Sequence, residues 1–244
     1  MRYKATVVYD GTNYNGWQIQ PNGETIQNQI QQALYNLTQQ NIHITGAGRT
    51  DKGVHAVEQV FHFDCDKVFL NFERAINSQL PDDIYVSSCL RVPDSFHARY
   101  DAKWKFYSYM VNTAAYNPLQ RNYAYQLCEP LDVEKMRTAS KVFVGEHDFT
   151  SFNATKLFEI SDQVRTIYSI DITENNGIIS FDIIGNGFLR HMVRMIVGTL
   201  IEVGKGKLSI EEIEDMLVQE DKETVHYNAP ACGLYLIKIG YDED

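Results

Sequence analysis

The chain has 244 residues, of which 44% are hydrophobic and 22% charged, a balance typical of a folded globular protein and not of a disordered one. Its formal net charge of −10 argues against a protein that holds nucleic acid by an overall positive charge. Ten acidic but only two basic residues fall between Leu208 and Asp244, however, which leaves 22 acidic and 20 basic residues in the rest of the chain. A basic cleft in that remainder is compatible with the composition.

The sequence predicts a cytoplasmic protein without a membrane segment. Met1 and Arg2 lead directly into a strand pattern, which argues against a signal peptide. The most apolar stretch, residues 192–203, contains Arg194 and Glu202 and is too short to span a bilayer. The four cysteines form no C-x-x-C pair, so neither a zinc site nor a disulfide framework is indicated. Free thiols fit a reducing compartment.

The first part of the chain predicts a mixture of strands and helices. Residues 3–10 are rich in β-branched and aromatic side chains, as a strand would be. Thr25 begins a helix whose apolar residues share one face, and a shorter helix is predicted over residues 72–80, before Pro81. Further strands are predicted over residues 59–64, 85–92 and 103–112.

The second part continues in the same style. The tripeptide at residues 175–177, Asn-Asn-Gly, predicts a tight hairpin turn between two strands. Ser209 and Glu212 have the spacing of a capping box at the start of a helix. The remaining predicted elements are a helix from Asp132 to about Val144, strands over residues 163–173 and 178–184, a long helix from Phe188 to about Gly204, and a closing strand over residues 234–241.

Hairpin turns without regular alternation of strand and helix indicate an α+β fold with mainly antiparallel sheet. We predict two halves, residues 1–103 and residues 104–244, because the second part repeats the style of elements of the first; no low-complexity linker separates them. No sequence repeat relates the two halves.

The segment 48–55 contains the most suggestive chemistry. Glycines on both sides of Asp51 allow unusual backbone conformations and the close approach of another chain. An ionised aspartate between Arg49 and Lys52 can act as a nucleophile, a base or a metal ligand. An aspartate that only caps a turn in a Gly-rich loop is the commoner arrangement, and spacing alone favours it.

Metal and phosphate sites have weaker support. Asp64 and Asp66 stand two residues apart, but no His-x-x-x-His pair or carboxylate-rich loop accompanies them, and they fit a polar turn at the end of a strand. Residues 46–48 lack the rest of a nucleotide-binding fingerprint. The sequence therefore predicts no metal.

Two further segments offer partners for Asp51. In the strand around residues 104–110, the period of two puts Lys105, Tyr107 and Tyr109 on one face, and we expect that face to be available for stacking on bases while the other face is core. In the helix predicted from Phe188, we expect Arg190, His191 and Arg194 to share one face. Arg194, flanked by apolar residues, needs a carboxylate if it is buried, although it could also extend to water.

These segments also carry a family resemblance, which extends over essentially the whole chain in the order and spacing of the family. The sequence resembles the tRNA pseudouridine synthases of the A type, which isomerise uridines in the anticodon stem-loop of tRNA. The similar blocks are residues 9–20, 48–56, 96–99, 107–109, 145–152, 187–198 and 230–236.

The resemblance implies roles for particular residues. Asp51 corresponds to the catalytic aspartate, Tyr107 to the tyrosine that lies against the target base, and Arg194 to the basic residue that pairs with the aspartate. Arg49 corresponds to the arginine that helps to hold the nucleotide out of the stack. Other residues expected to contact the substrate are Thr50, Lys52, His55, Tyr109 and Arg190.

The resemblance also implies a fold of two related α/β halves around a central active-site cleft, a homodimer, a tRNA substrate, and no metal or organic cofactor. Two other function classes remain open from the residues alone. A non-catalytic RNA-binding module would use the aromatic residues beside Lys105. A metal-dependent hydrolase would depend on Asp51, Asp64 and Asp66.

Overall fold

The computed structural model describes residues 1–242. It contains ten strands and five α-helices, joined by loops and by short 3-10 turns. The strands are β1 (Arg2–Tyr9), β2 (Ile44–Gly46), β3 (His55–Asp64), β4 (Ile84–Val92), β5 (Trp104–Asn112), β6 (Tyr125–Gln126), β7 (Gly145–Asp148), β8 (Val164–Asn175), β9 (Ile178–Gly185) and β10 (Leu234–Gly240). The helices are α1 (Ile26–Thr38), α2 (Phe72–Asn77), α3 (Val133–Ser140), α4 (Met192–Gly204) and α5 (Ile210–Gln219).

The chain forms two compact units. The first contains Met1–Lys103 together with the chain from Tyr235 onwards, and the second contains Trp104–Leu234. The division expected from sequence assigned residues 104–244 to one half. The closing strand departs from it, because Tyr235 and Leu236 of β10 pair in parallel with His55 and Ala56 of β3.

In the first unit, β3 is the central strand. It pairs antiparallel with β1 along most of its length, and β1 pairs antiparallel with β4. Strand β10 pairs with the start of β3, and strand β2 pairs with its end. Alternate residues of β1, a continuous buried run in β3 and the predicted apolar face of α1 contribute to the core. The core side chains with no exposed surface include Ala5, Val7, Phe61, Ile26, Ile30 and Leu34.

In the second unit, the strands follow the order β5, β9, β8, β7, all antiparallel, with β6 added in parallel to β5. The predicted hairpin turn is confirmed: Asn176 and Gly177 both have positive φ, 51° and 75°, between β8 and β9. Helix α4 supplies most of the helical core, and α3 packs against both α4 and β8. The α+β class with mainly antiparallel strands is confirmed in each unit.

Side-chain caps explain where the predicted helices begin. The side chains of Thr25, Asp132 and Ser209 each accept a hydrogen bond from the backbone N–H three residues later, at the starts of α1, α3 and α5. The capping box of Ser209 and Glu212 is complete in both directions. The short strands β2, β6 and β7 were not predicted, because segments of two to four residues give no readable periodicity.

Helix α4 begins later than the sequence predicted. The periodicity suggested a start at Phe188, but the helix starts at Met192, because His191 has a left-handed backbone with φ of 63°. Such a residue cannot continue a right-handed helix. Arg190 and His191 therefore do not lie on a common helix face with Arg194, and that expectation was wrong.

Candidate active site

Asp51 lies in the eight-residue connection between β2 and β3, residues 47–54, in the first unit. Strand β2 ends at Gly46, opposite Phe61 of β3. The backbone N–H of Ala47 still donates to the carbonyl of Val60, at 2.8 Å. The loop therefore leaves the sheet from a fixed position.

Buried hydrogen bonds fix the part of the loop that precedes Asp51. The amide of Gln59, which has no exposed surface, donates to the carbonyl of Gly48 at 2.9 Å. The hydroxyls of Thr50 and Tyr9 are hydrogen-bonded at 2.8 Å, and burial raises the pKa of Tyr9, so that its hydroxyl stays neutral. The backbone N–H of Trp17 donates to the carbonyl of Thr50 at 3.1 Å. These contacts fix the backbone on the N-terminal side of Asp51.

A turn fixes the C-terminal side. The carbonyl of Asp51 accepts the N–H of Val54 at 3.2 Å, and Gly53 has φ of 79°, a conformation that favours glycine. The N–H of Gly53 donates to the carbonyl of Tyr14 at 3.3 Å. Asp51 is half-buried in this turn, while Arg49 and Lys52 on either side are exposed. The loop thus presents one carboxylate between two accessible cations.

Thr50 and His55, which were expected to contact substrate, are both buried. Thr50 is 7% exposed and His55 is 3% exposed. Nδ1 of His55 accepts the N–H of Gly11 at 3.1 Å, and its ring stacks on Tyr235 at 4.8 Å between centroids. Both side chains face the interior of the first unit, where they support the loop. Their polarity is evident from the sequence, but their burial is not.

Tyr107 lies in the middle of β5, in the second unit, opposite Ile183 of β9. It is 7% exposed, and its ring meets the ring of Phe188 edge to face, with centroids 5.2 Å apart. Phe188 precedes α4, and its ring packs closely against Gly185. A Cβ at residue 185 would lie 3.0 Å from Cζ of Phe188. Phe188 therefore fixes the position of the Tyr107 ring, a contact that sequence reasoning missed because the two residues are 81 positions apart.

The face of β5 expected to be available for stacking is not open. Tyr107, Tyr109 and Val111 on that face are buried, while the opposite face mixes the half-buried Phe106 and Met110 with the buried Ser108 and Asn112. Tyr109 has no exposed surface, and its hydroxyl donates to the carbonyl of Pro230 at 2.6 Å. Tyr109 is therefore a core residue that anchors the segment before β10, and it has no surface with which to contact a substrate.

Arg194 lies in the first turn of α4, in the second unit, and is half-buried. Its Nε donates to the carbonyl of Ala229 at 2.7 Å, and its own carbonyl accepts the N–H of Ala229 at 3.0 Å. One turn later, Gly198 lets the same segment approach closely, since a Cβ there would lie 2.9 Å from the carbonyl of Tyr227. The bond from Nε to Ala229 thus helps to hold the guanidinium in place.

Arg190 is exposed and lies outside α4. Its backbone N–H donates to Oγ1 of Thr155 at 2.9 Å, and its carbonyl accepts the N–H of Ala154 at 2.8 Å. The backbone is therefore fixed while the side chain is accessible. Of the residues expected to contact substrate, Arg49, Lys52 and Arg190 are exposed.

The carboxylates considered for a metal-dependent hydrolase do not form a metal-binding group within residues 1–242. Asp64 receives two hydrogen bonds from Arg2, at 3.0 and 2.8 Å, and the pairing holds the pKa of Asp64 below its usual range. The side chain of Asp66 is 94% exposed. Among residues 1–242, no group of three or more His, Cys, Asp or Glu side chains is arranged to hold a metal ion. Within the same range, no helix is long and apolar enough to cross a membrane.

Comparison with known proteins agrees with this arrangement of motifs. A family model described as tRNA pseudouridine synthase matches residues 5–101 and 139–242. The tRNA pseudouridine synthase A of Geobacillus sp. (strain WCH70) is 44% identical over 248 residues, which cover 99% of this chain and 98% of the relative. The protein of the same name from Bacillus subtilis (strain 168) is 44% identical over 248 residues, covering 99% of this chain and 100% of the relative.

A third relative, the tRNA pseudouridine synthase A of Exiguobacterium sp. (strain ATCC BAA-1283 / AT1b), is 43% identical over 244 residues, covering 99% of this chain and 98% of the relative. The matched ranges contain the Asp51 loop, the segment before α4 and the start of α4. Each comparison extends over nearly the full length of both proteins. The chain therefore belongs to the tRNA pseudouridine synthase family.

Proposed function

We propose that the protein acts on uridines of the anticodon stem-loop of tRNA, with Asp51 as the catalytic residue. As a member of its family, the chain is an isomerase that converts uridine to pseudouridine. The observation that carries the proposal is the loop between β2 and β3, in which buried contacts on both sides fix a half-buried carboxylate between two exposed cations. An enzyme needs its reactive group held in this way, because a preorganised group loses little freedom when the substrate binds.

The isomerisation breaks the bond between C1′ and N1 of the uridine, turns the uracil, and forms a bond between C1′ and C5. The proton on C5 leaves and N1 gains one, so that the product has the same composition as the substrate. An aspartate can assist by attacking C1′, by attacking C6 of the ring, or by taking part in the loss of the C5 proton. All three routes use the same carboxylate of Asp51.

The target base must leave the stack before it can react, which costs about a few kcal/mol. We propose that Tyr107 offers an aromatic face to the flipped base and that Arg49 holds the nucleotide out of the helix. The resemblance assigns Arg194 the role of the basic residue that pairs with the catalytic aspartate, a role that suits a guanidinium because it can make two parallel hydrogen bonds to a carboxylate. These three roles are supported by the family resemblance and by the fixed positions of Tyr107 and Arg194 within the second unit.

Lys52 and Arg190 are proposed to contact the phosphates of the tRNA, because both are exposed cations next to fixed backbone. Thr50, His55 and Tyr109 are buried, and we propose that they support the backbone of the site. No metal or organic cofactor enters the proposed reaction, since each step uses a side chain of the chain itself. We further propose that the enzyme works as a homodimer in the cytoplasm.

The experiment compares wild-type protein with Asp51→Asn on tRNA that carries tritium at C5 of uridine. Wild type should release tritium and leave pseudouridine that carbodiimide mapping locates in the anticodon stem-loop. Asp51→Asn should release tritium at least roughly a thousandfold more slowly, since it keeps the shape but loses the ionised carboxylate. Asp66→Asn is the matched control, because Asp66 is a highly exposed carboxylate of the same unit.

Each alternative has its own outcome. Equal tritium release from Asp51→Asn and wild type would exclude Asp51 as the catalytic residue. Wild-type protein that binds tRNA but forms no pseudouridine would be a non-catalytic RNA-binding module. Activity that chelator abolishes would require a metal, and sedimentation at one protomer per particle would exclude the homodimer.

A further inference from the structure

The second unit contains a cavity of about 570 Å³ whose polar lining is basic. Its walls come from the loop after residue 152, from the start of α4 and from the segment that follows α5. The volume lies within the range of about 300–1,000 Å³ that is usual for sites that hold small molecules. Six of the residues that line it are Lys156, Phe158, His191, Lys222, His226 and Asn228.

The walls of the cavity are tied together by hydrogen bonds. The loop is fastened to the segment before α4 by the two bonds between residues 154–155 and Arg190, at 2.8 and 2.9 Å. It is fastened to the segment after α5 by Lys222, whose Nζ donates to Oδ1 of Asn153 at 2.8 Å and to Oε1 of Gln163 at 2.9 Å. The side chain of Asn228 contacts His191 at 3.3 Å. The cavity is therefore built by contacts that link three separate segments of the chain.

All the ionisable side chains that line the cavity are basic. Two lysines and two histidines line the cavity, and none of the lining residues is an aspartate or a glutamate. Lys222 is half-buried and donates to neutral oxygens of Asn153 and Gln163. Desolvation lowers the pKa of its ammonium against the opposing charge of Asp148, which does not line the cavity. Asp221 and Glu223 flank Lys222 in the sequence but do not line the cavity. In a chain of net charge −10, this lining favours an anionic ligand.

An aromatic side chain stands at the mouth of the cavity. Phe158 is 82% exposed, and Nζ of Lys156 lies 5.4 Å from the centroid of its ring. The floor is apolar, since Met195 is 7% exposed and Val225 is 2% exposed. An exposed ring beside a cation is the arrangement on which unpaired bases stack while their phosphates stay near positive charge.

We propose that this cavity binds one unpaired nucleotide of the tRNA substrate, other than the uridine that is isomerised. The base stacks on Phe158, and its phosphate lies near Lys156 and His226, with the fixed charge of Lys222 behind it. RNA fits this surface better than a protein partner, because lysine is depleted at the centre of protein interfaces. The proposal rests on the proposed function in one respect, that tRNA is the substrate.

The test measures the dissociation constant for tRNA as a function of salt concentration, with the full-length protein. The double variant Lys156→Gln/Phe158→Leu should bind tRNA roughly tenfold more weakly at moderate salt, because it loses a stacking face and a cation. The slope of log affinity against log salt should become shallower by about one, as expected for the loss of one phosphate contact. Phe158→Trp should retain wild-type affinity, because it keeps an aromatic face.

The matched control is Lys141→Gln/Tyr168→Leu, which removes an exposed lysine and an exposed aromatic residue of the same unit outside the cavity. It should bind as wild type does. Unchanged affinity and slope in Lys156→Gln/Phe158→Leu, or an equal loss in the control, would overturn the proposal. A change in self-association without a change in tRNA affinity would assign the surface to a second copy of the chain and would also overturn it.

The experiments distinguish failure of the cavity proposal from failure of the proposed function. If wild type binds tRNA but forms no pseudouridine, the proposed function fails, while the difference in affinity between the two double variants still decides whether the cavity holds a nucleotide. If wild type forms pseudouridine and the two double variants bind alike, only the cavity proposal fails.

Discussion

Gly16 lies directly against the carbonyl oxygen of Thr50: a Cβ at residue 16 would fall 2.4 Å from that oxygen. The contact joins the segment after β1 to the backbone next to Asp51. Because Gly16 also has φ of 84°, two separate constraints require glycine at this position. The stability of the fold and the geometry of the Asp51 loop are thus determined partly by the same residue.

We predict that Gly16→Ala lowers the free energy of unfolding by about 3 kcal/mol, the sum of backbone strain and a collision with main-chain atoms that cannot move away. Urea denaturation measures this. The control is Gly206→Ala, since Gly206 has φ of 71° but nothing within 4 Å of its Cβ position, so that only strain of about 1 kcal/mol applies. Equal losses in the two variants would mean that the contact with Thr50 contributes nothing.

The features that the sequence predicted well are those that depend on neighbouring residues. The capping residues Thr25, Asp132 and Ser209 begin their helices because each side chain bonds a backbone N–H three positions away. The turn at residues 175–177 was predicted because Asn and Gly tolerate positive φ. The Asp51 loop could be selected as a candidate site for a similar reason, since its glycines and charges are contiguous in the sequence.

The predictions that failed depend on contacts between distant segments. Tyrosine suits either face of a strand, so alternation along β5 could not reveal that Tyr109 is buried against Pro230. Thr50 and His55 are polar, yet they are buried because Tyr9 and Tyr235 cover them. The left-handed backbone of His191 cuts α4 short although the apolar pattern continues. Composition and spacing do not contain this information.

A second prediction separates the ring of Tyr107 from its hydroxyl. If the ring supports the flipped base, Tyr107→Leu should reduce kcat/KM by roughly a hundredfold, and Tyr107→Phe should be at least roughly tenfold more active than Tyr107→Leu. Single-turnover tritium release measures both. Tyr168→Leu, an exposed tyrosine of β8, is the control and should remain fully active.

Because Tyr107 is buried and packs on Phe188, the unfolding free energy of each variant must be measured as well. Activities are compared only among variants that are fully folded at the assay temperature. Equal activity of the Phe and Leu variants would show that the hydroxyl, and not the ring, carries the role of Tyr107.

A third prediction concerns the shape of the Arg194 side chain. Arg194→Lys keeps the positive charge but loses the planar fork and the bond from Nε to the carbonyl of Ala229. We expect kcat to fall by roughly ten- to a hundredfold and the unfolding free energy to fall by about 1 kcal/mol. Arg190→Lys, at an exposed position outside α4, is the control and should weaken kcat less than threefold, or about 0.6 kcal/mol. Full activity of Arg194→Lys would mean that only its charge matters.

A fourth prediction follows from His62, which is 6% exposed in β3 and accepts the N–H of Ala98 at 3.1 Å through Nδ1. Burial lowers its pKa from 6.5 to about 4, and the positive charges of Arg2 and His97 act in the same direction against the opposing carboxylates of Asp64 and Asp101. The folded chain therefore keeps His62 neutral at a pH where the unfolded chain has already bound a proton there.

It follows that the unfolding free energy contributed by this residue is complete above about pH 6.5, declines as the pH falls, and is lost by about pH 4. At pH 5 the loss relative to pH 7 should be about 1–2 kcal/mol. Urea denaturation of wild type and His62→Gln at both pH values isolates this contribution, because glutamine retains an acceptor for Ala98 but does not titrate. If both proteins lost the same free energy between pH 7 and pH 5, the pKa of His62 would not be depressed in the folded state.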